Sequence, residues 1–193
     1  RGEEAAGICT SDGENLHLYK NRGLVGEVFT EDPLKRLPGN HAIGHTRYST
    51  TGSSTVANAQ PYKVSYSRGQ VAIAHNGNLT NAQILRDELE AYGSIFYTTM
   101  DSEIFVHHFA KPSHRNFDEA VAESVRRTQG AFSLAILKEN QLIGVRDPYG
   151  FRPLVYGWKD DMFLAASESN ALINCGVTDY KHLPPGHLIH IKN

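Results

Sequence analysis

The sequence predicts an α+β fold in which antiparallel sheets are covered by helices, and three observations carry that expectation. Apolar runs of strand length follow one another across short turns, three helical patterns are gathered in the middle of the chain, and strands and helices do not alternate regularly. A parallel wound sheet needs that alternation, so pairing between sequence neighbours is expected to be antiparallel.

Residues 5–10 and 16–20 read as two strands around Ser11-Asp12-Gly13, because Asp-Gly supplies the positive φ that a hairpin needs. Ala42-Ile43-Gly44 leads into His45-Thr46-Arg47-Tyr48, and Val71-Ala72-Ile73-Ala74 follows a loop rich in Ser and Thr. His75-Asn76-Gly77-Asn78 then runs into a helix start, with Thr80 as N-cap, Gln83 completing a capping box, and Leu79 stapled to Ile84. Ile84, Leu85, Leu89 and Tyr92 are expected on the inward face, with Gly93 as the stop. A second helix is expected from Asp101 or Ser102, burying Ile104, Phe105, His108 and Phe109 and ending before Pro112. A third runs from the cap Asn116, with Glu119 in the capping-box place, through Val121 and Val125 to Gly130. Residues 132–137, 141–146, 154–157, 162–167 and 187–191 then read as strands, broken by Pro148, Pro153 and Pro184-Pro185-Gly186.

At 193 residues the chain is long enough to bury one core, and no internal repeat, low-complexity segment or linker divides it. Its 40% apolar and 21% charged content is ordinary globular composition. The net charge of -2 is interspersed, and without a basic run nucleic acid is not an expected partner. No apolar stretch approaches a membrane span, and no export signal opens the chain. Cys9 and Cys175 follow neither a disulfide framework nor a metal spacing, so a cytoplasmic protein with reduced thiols is expected. The chain opens without Met, in mid-phrase at Arg1-Gly2-Glu3, as a fragment would.

The Asn76-Gly77 turn, placed between a strand end and a helix N-terminus, outlines an oxyanion site: glycine lets a carbonyl approach the backbone, and the Asn amide supplies a donor. Arg47 offers a planar fork suited to a carboxylate, and Asp101 a charge suited to an ammonium. Taken singly, each has an ordinary explanation, as a plain Asn-Gly turn, a surface strand arginine and a helix cap. Together they complement an α-amino acid whose side-chain carbonyl is to be attacked. Cys9 and Cys175 both read as small core hydrophobes rather than nucleophiles. His41 and His45 flank a strand and His107-His108 point apart on a helix, so metal ligation is not expected.

With these residues in view, the chain resembles the class II, N-terminal-nucleophile glutamine amidotransferase domain of the amidophosphoribosyltransferase family. The likeness runs from Arg1-Gly2-Glu3-Glu4-Ala5-Ala6-Gly7-Ile8 through Ile43-Gly44-His45-Thr46-Arg47-Tyr48-Ser49-Thr50, Asn58-Ala59-Gln60-Pro61, His75-Asn76-Gly77-Asn78-Leu79, Asp101-Ser102-Glu103 and Arg146-Asp147-Pro148-Tyr149-Gly150-Phe151-Arg152-Pro153-Leu154 to Ser167-Glu168-Ser169. It implies a four-layer αββα sandwich in which Arg47 holds the α-carboxylate of L-glutamine, Asp101 its α-ammonium, and Asn76 with Gly77 the oxyanion, while Arg1 helps order the site. It also implies a cysteine nucleophile at a mature N-terminus, whose own amine, of pKa about 8, serves as base. In the family the ammonia passes to a phosphoribosyltransferase domain, which holds magnesium and places it on phosphoribosyl pyrophosphate to give phosphoribosylamine for purine synthesis, within a homo-oligomer. The resemblance leaves open an iron-sulfur cluster.

This sequence carries neither the cysteine strand nor the phosphoribosyltransferase half, so neither reaction is expected of the chain as it stands, and Cys9, lying beyond Arg1-Gly2, cannot substitute. Two other readings are weighed beside this one. The aminosugar-forming amidotransferases resemble the same strands but carry Trp at the place of Tyr48 and lack the Asp-Pro-Tyr-Gly-Phe-Arg-Pro segment. A non-catalytic amino-acid-binding module would keep the pocket without the nucleophile.

Overall fold

A computed structural model describes residues 4–47 and 55–192. Arg1 and Tyr48 lie outside the described residues.

β1 (Ala5–Ser11) and β2 (Leu16–Arg22) form the expected hairpin. Gly13 takes φ +98, and the Asp12 carboxylate accepts the Glu14 and Asn15 amides across the loop, the self-bonded turn that Asp favours. β3 (His41–Arg47) pairs with the other edge of β1, giving a three-stranded antiparallel sheet of order β2-β1-β3. Between β2 and β3 lie two helices the sequence reading did not anticipate, α1 (Val25–Val28) and α2 (Glu31–Lys35). Both are too short for a periodic pattern, and Pro33 falls in the first turn of α2, where proline is tolerated.

The main sheet has five strands in the order β11-β7-β6-β5-β4, all antiparallel. Its members are β4 (Tyr62–Tyr66), β5 (Gly69–Leu79), β6 (Gly130–Lys138), β7 (Gln141–Arg146) and β11 (Leu188–Lys192). A third sheet orders β10-β8-β9 from β8 (Val155–Lys159), β9 (Met162–Ala166) and β10 (Tyr180–His182). The edge strands β4 and β10 were not foreseen. β4 does alternate, Tyr62, Val64 and Tyr66 packing on the core while Lys63 and Ser65 stand between them, but its five residues adjoin the loop rich in Ser and Thr and read with it, and three residues are too few to read in β10.

Between β5 and β6 run α3 (Ala82–Ala91), α4 (Glu103–Phe109) and α5 (Phe117–Arg127). On the helix side of the main sheet, Ile73, Phe132, Leu134 and Ile136 pack with Leu85, Leu89, Phe105 and Val121. On the other side Ala72, Ala74 and Leu137 meet Cys9, Leu16 and Ile43 of the first sheet, the alanines letting the two sheets approach closely. α1 covers β1 and β2, and α6 (Ser169–Asn174) covers β8 and β9 through Leu172. The result is an αββα sandwich, its second sheet layer made of the two three-stranded sheets.

Several expectations are corrected. The first long helix starts at Ala82, not at a Thr80 cap. Asn81 takes the cap position, but its amide instead bridges to Arg127 O and Gln129 N, while Gln83 bonds Asp87 rather than closing a capping box. Its buried stripe is Leu85 and Leu89, whereas Ile84 is 70% and Tyr92 86% exposed. Turning the helix to bury Ile84 would gain about 2 kcal/mol but would lift two leucines from the core at roughly twice that cost. α4 begins at Glu103, after Asp101 and Ser102. α5 is capped by Asn116, whose side chain accepts the Glu119 amide as expected, but it ends at Arg127. Gly130 opens β6 instead, where a Cβ would stand 2.3 Å from Asn78 O. Cys9 is buried as expected, but Cys175, following α6, is exposed.

Candidate active site

Strand period places the site. Along β5, Ile73 and His75 point toward the helices while Ala72 and Ala74 point toward the first sheet. Asn76 follows the second set and enters a cleft of about 1090 Å³ between the sheets. Arg47, Asn76, Gly77 and Asp101, chosen from the sequence, all line this cleft.

Asn76 and Gly77 do not form a turn, which corrects the sequence reading. They lie inside β5, with Gly77 opposite Phe132, and the next helix begins only at Ala82. Glycine is required there by close approach: at φ +155 its backbone lies so near β6 that a Cβ would sit 2.0 Å from Ala131 O. The helix dipole is therefore not what makes the spot receptive. The Asn76 side-chain NH₂ is buried in the cleft wall with no hydrogen-bond partner among the described residues. A buried donor left unmatched costs about 1–3 kcal/mol, a cost that an incoming oxyanion relieves.

Arg47 ends β3, and its Nη1 donates to Asn58 O at 2.6 Å. Asn58 Nδ2 in turn donates to Thr99 Oγ1 at 3.0 Å, two residues before Asp101. Asp101 itself accepts Leu79 N–H at 2.9 Å through Oδ2, and its Oδ1 lies 3.2 Å from His75 Nδ1. It serves β5 and His75 as well as the Ser102 amide at the start of α4. Burial works to raise its pKa, but the imidazole contact and the backbone amides of Leu79 and Ser102 outweigh it, and the carboxyl is held below its ordinary value. Asp101 is thus an anion bordering the cleft.

Polar residues that the sequence reading gave no role complete the frame. Gln60 accepts His75 N–H at 2.7 Å through Oε1 and donates to His75 O at 3.4 Å, continuing the β4 ladder where Pro61 has no N–H to give. His45 Nε2 lies 3.1 Å from His75 O. Burial lowers its pKa to about 4, so the ring is neutral at pH 7. A carbonyl only accepts, hence Nε2 carries the proton. The available signal was a polar residue inside an otherwise apolar strand run, at His45 and at His75.

Glu103 fixes the loop that presents Thr99 and Asp101. Fully buried, it accepts the Tyr62 hydroxyl at 2.8 Å, the Tyr97 and Thr98 amides at 2.9 and 2.8 Å, and the Thr98 hydroxyl at 2.6 Å. Burial opposes ionisation, yet His107 and these donors win and lower its pKa to about 2 from 4.5. A depressed folded-state pKa stabilises above the unfolded value and is lost as pH falls through the folded one. Denaturant titrations should therefore show stability falling between pH 4.5 and 2, with roughly 3 kcal/mol of that acid loss absent in Glu103→Gln. An unchanged acid limb in the variant would contradict this.

Neither cysteine lines the cleft. Cys9 is buried between the sheets, where desolvation pushes its thiol up to about 11 against a smaller opposing pull from Lys63. Among the described residues, no cluster of three or more His, Cys, Asp or Glu is placed to hold a metal, and no helix is long and apolar enough to cross a membrane.

Comparison with known proteins decides the family. Residues 45–174 match the profile described as "Glutamine amidotransferase domain". The chain belongs to the glutamine amidotransferase domain family. Over its full length this domain is 45% identical to an amidophosphoribosyltransferase of Methanocaldococcus jannaschii, of which it covers 41%, and 39% identical to that of Bacillus subtilis, again covering 41%. The solved glutamine phosphoribosylpyrophosphate amidotransferase of B. subtilis, complexed with ADP and GMP, superposes on all of this domain with a TM-score of 0.93 at 38% identity, and the overlap covers 42% of that chain. The domain thus spans about two fifths of the length of the relatives it matches.

Proposed function

We propose that this domain binds L-glutamine and provides the glutaminase half of an amidophosphoribosyltransferase. The observation that carries the reading is the convergence of Arg47, Asn76, Gly77 and Asp101, from three separate stretches of chain, on one cleft. Arg47 takes the α-carboxylate as a charge-assisted, forked pair, Asp101 takes the α-ammonium, and the Asn76 amide with the Gly77 backbone faces the side-chain carbonyl. Attack on that carbonyl forms a thioester and releases ammonia. Water then releases glutamate. Arg1, which adjoins the nucleophile in this reading, helps to order the site.

The nucleophile comes from a further strand. The cleft is bordered by β3 and β9, each of which pairs on one side only among the described residues. Ala74, Ala135 and Leu142 of the main sheet form its floor. An extended segment bonded to those edges would satisfy their open backbone groups and bring its first residue beside Asn76. In the intact enzyme the ammonia passes to phosphoribosyl pyrophosphate in a magnesium-dependent phosphoribosyltransferase domain, giving phosphoribosylamine in a cytoplasmic homo-oligomer. The test is calorimetry with L-glutamine alongside an assay for glutamate: saturable binding without hydrolysis by the 193-residue chain is expected. Absence of binding would refute the glutamine reading, and release of glutamate would refute the placing of the nucleophile on a further strand.

A further inference from the structure

We propose that His75 is a positioning residue, holding Asp101 in the orientation that receives the substrate α-ammonium. The inference rests on the glutamine reading and deepens it.

The His75 side chain is 1% exposed and that of Asp101 22%, so Asp101 meets the cleft while the imidazole stands behind it. The ring is wedged edge-on against Phe105 and Phe132, with centroids 5.9 and 6.5 Å away. Its backbone is clamped at both ends, the N–H by Gln60 and the carbonyl by His45. Neither rotation of the ring nor sliding of the strand is open to it. Nδ1 stands 3.2 Å from Asp101 Oδ1, while Leu79 N–H holds Oδ2 from the other side at 2.9 Å. These two donors from β5, together with the Ser102 amide, set the plane of the carboxylate.

The opposite nitrogen shows why a histidine stands here. Nε2 is buried with no partner among the described residues, in surroundings where a Leu or Phe would pack without an orphaned polar atom. Among the described residues the Nδ1 contact is the one polar contact the ring makes, and it goes to Asp101. Because Asn76 follows His75 directly, the same clamp couples the ammonium contact to the strand that carries the oxyanion donor.

The test compares two ligands, L-glutamine and its deamino analogue 4-carbamoylbutanoate, by calorimetry on the 193-residue chain. His75→Leu and His75→Phe both remove the donor, and the second preserves aromatic packing should the first fail to fold. Each should weaken glutamine about tenfold or more, the worth of a hydrogen bond to a charged group, and leave the deamino analogue unchanged. His75→Asn, whose side-chain NH₂ falls near the Nδ1 position, should recover most of the loss. Equal weakening of both ligands would mark His75 as merely structural and overturn the proposal, as would unaltered glutamine binding. Asp101→Asn separates the two readings: if it weakens glutamine selectively while the His75 variants do not, only the positioning role fails. If it has no effect either, the glutamine assignment falls with it.

Discussion

Joining a strand that begins with cysteine ahead of Arg1 is expected to raise glutamine hydrolysis from background to measurable turnover. The cleft supplies what such a residue lacks alone. On the proposed reading the open edges of β3 and β9 hold it in place beside the Asn76 amide, which is already desolvated and unmatched among the described residues. A preorganised oxyanion donor contributes roughly 10²–10³ in rate, and holding the thiol at the carbonyl removes much of the entropy of a bimolecular encounter. The free α-amine, with a pKa of about 8, takes the thiol proton near neutrality. Cys9 offers no substitute, because burial keeps its thiol protonated at pH 7 and it does not line the cleft. In the extended protein, replacing the terminal cysteine by alanine should abolish glutamate release while preserving binding, and acetylating its amine should abolish release as well. An extended, folded protein that binds glutamine yet never hydrolyses it would contradict the mechanism.

Arg47→Ala is expected to weaken glutamine binding about 30- to 100-fold, corresponding to roughly 2–3 kcal/mol for the lost partner of a desolvated charge pair. The guanidinium is aimed by its bond to Asn58 O, and Asn58 is tied through Thr99 to the loop bearing Asp101. On the proposed reading the two charged ends of the substrate are gripped by one connected frame. Lysine at this position should recover only part of the affinity, since a point charge cannot reproduce a forked contact. In the extended enzyme the effect should appear chiefly in KM, because carboxylate binding is the same in ground and transition states. Normal glutamine binding by the alanine variant in calorimetry would remove the carboxylate assignment.

Local chemistry made much of this protein legible in its sequence. The β1–β2 hairpin follows from Asp12-Gly13, the α5 cap from Asn116 and Glu119, and the antiparallel class from strands separated only by short turns. Arg47, Asn76, Gly77 and Asp101 could be picked out by type as the complement of a free amino acid, and they do line one cleft. Features decided by contacts distant in the chain were not. Asn76-Gly77 has the composition of a turn, yet pairing with β6 across residues 130–133 draws it into a strand, and the proximity of Ala131 O is what requires the glycine. Ile84 fits the helical stripe, but the sheet beneath accommodates only the Leu85–Leu89 line. The grouping of His45, Gln60 and His75 about Asn76 and Asp101 exists only once β3 of the first sheet packs against β5 of the main sheet and Gln60, just before β4, is laid beside His75. By itself the sequence determined which chemical groups were available and most of the local backbone, because those follow from neighbouring residues. Only the tertiary structure decided which groups share a cleft and which stand behind them, because that depends on strand register and burial set across the whole chain.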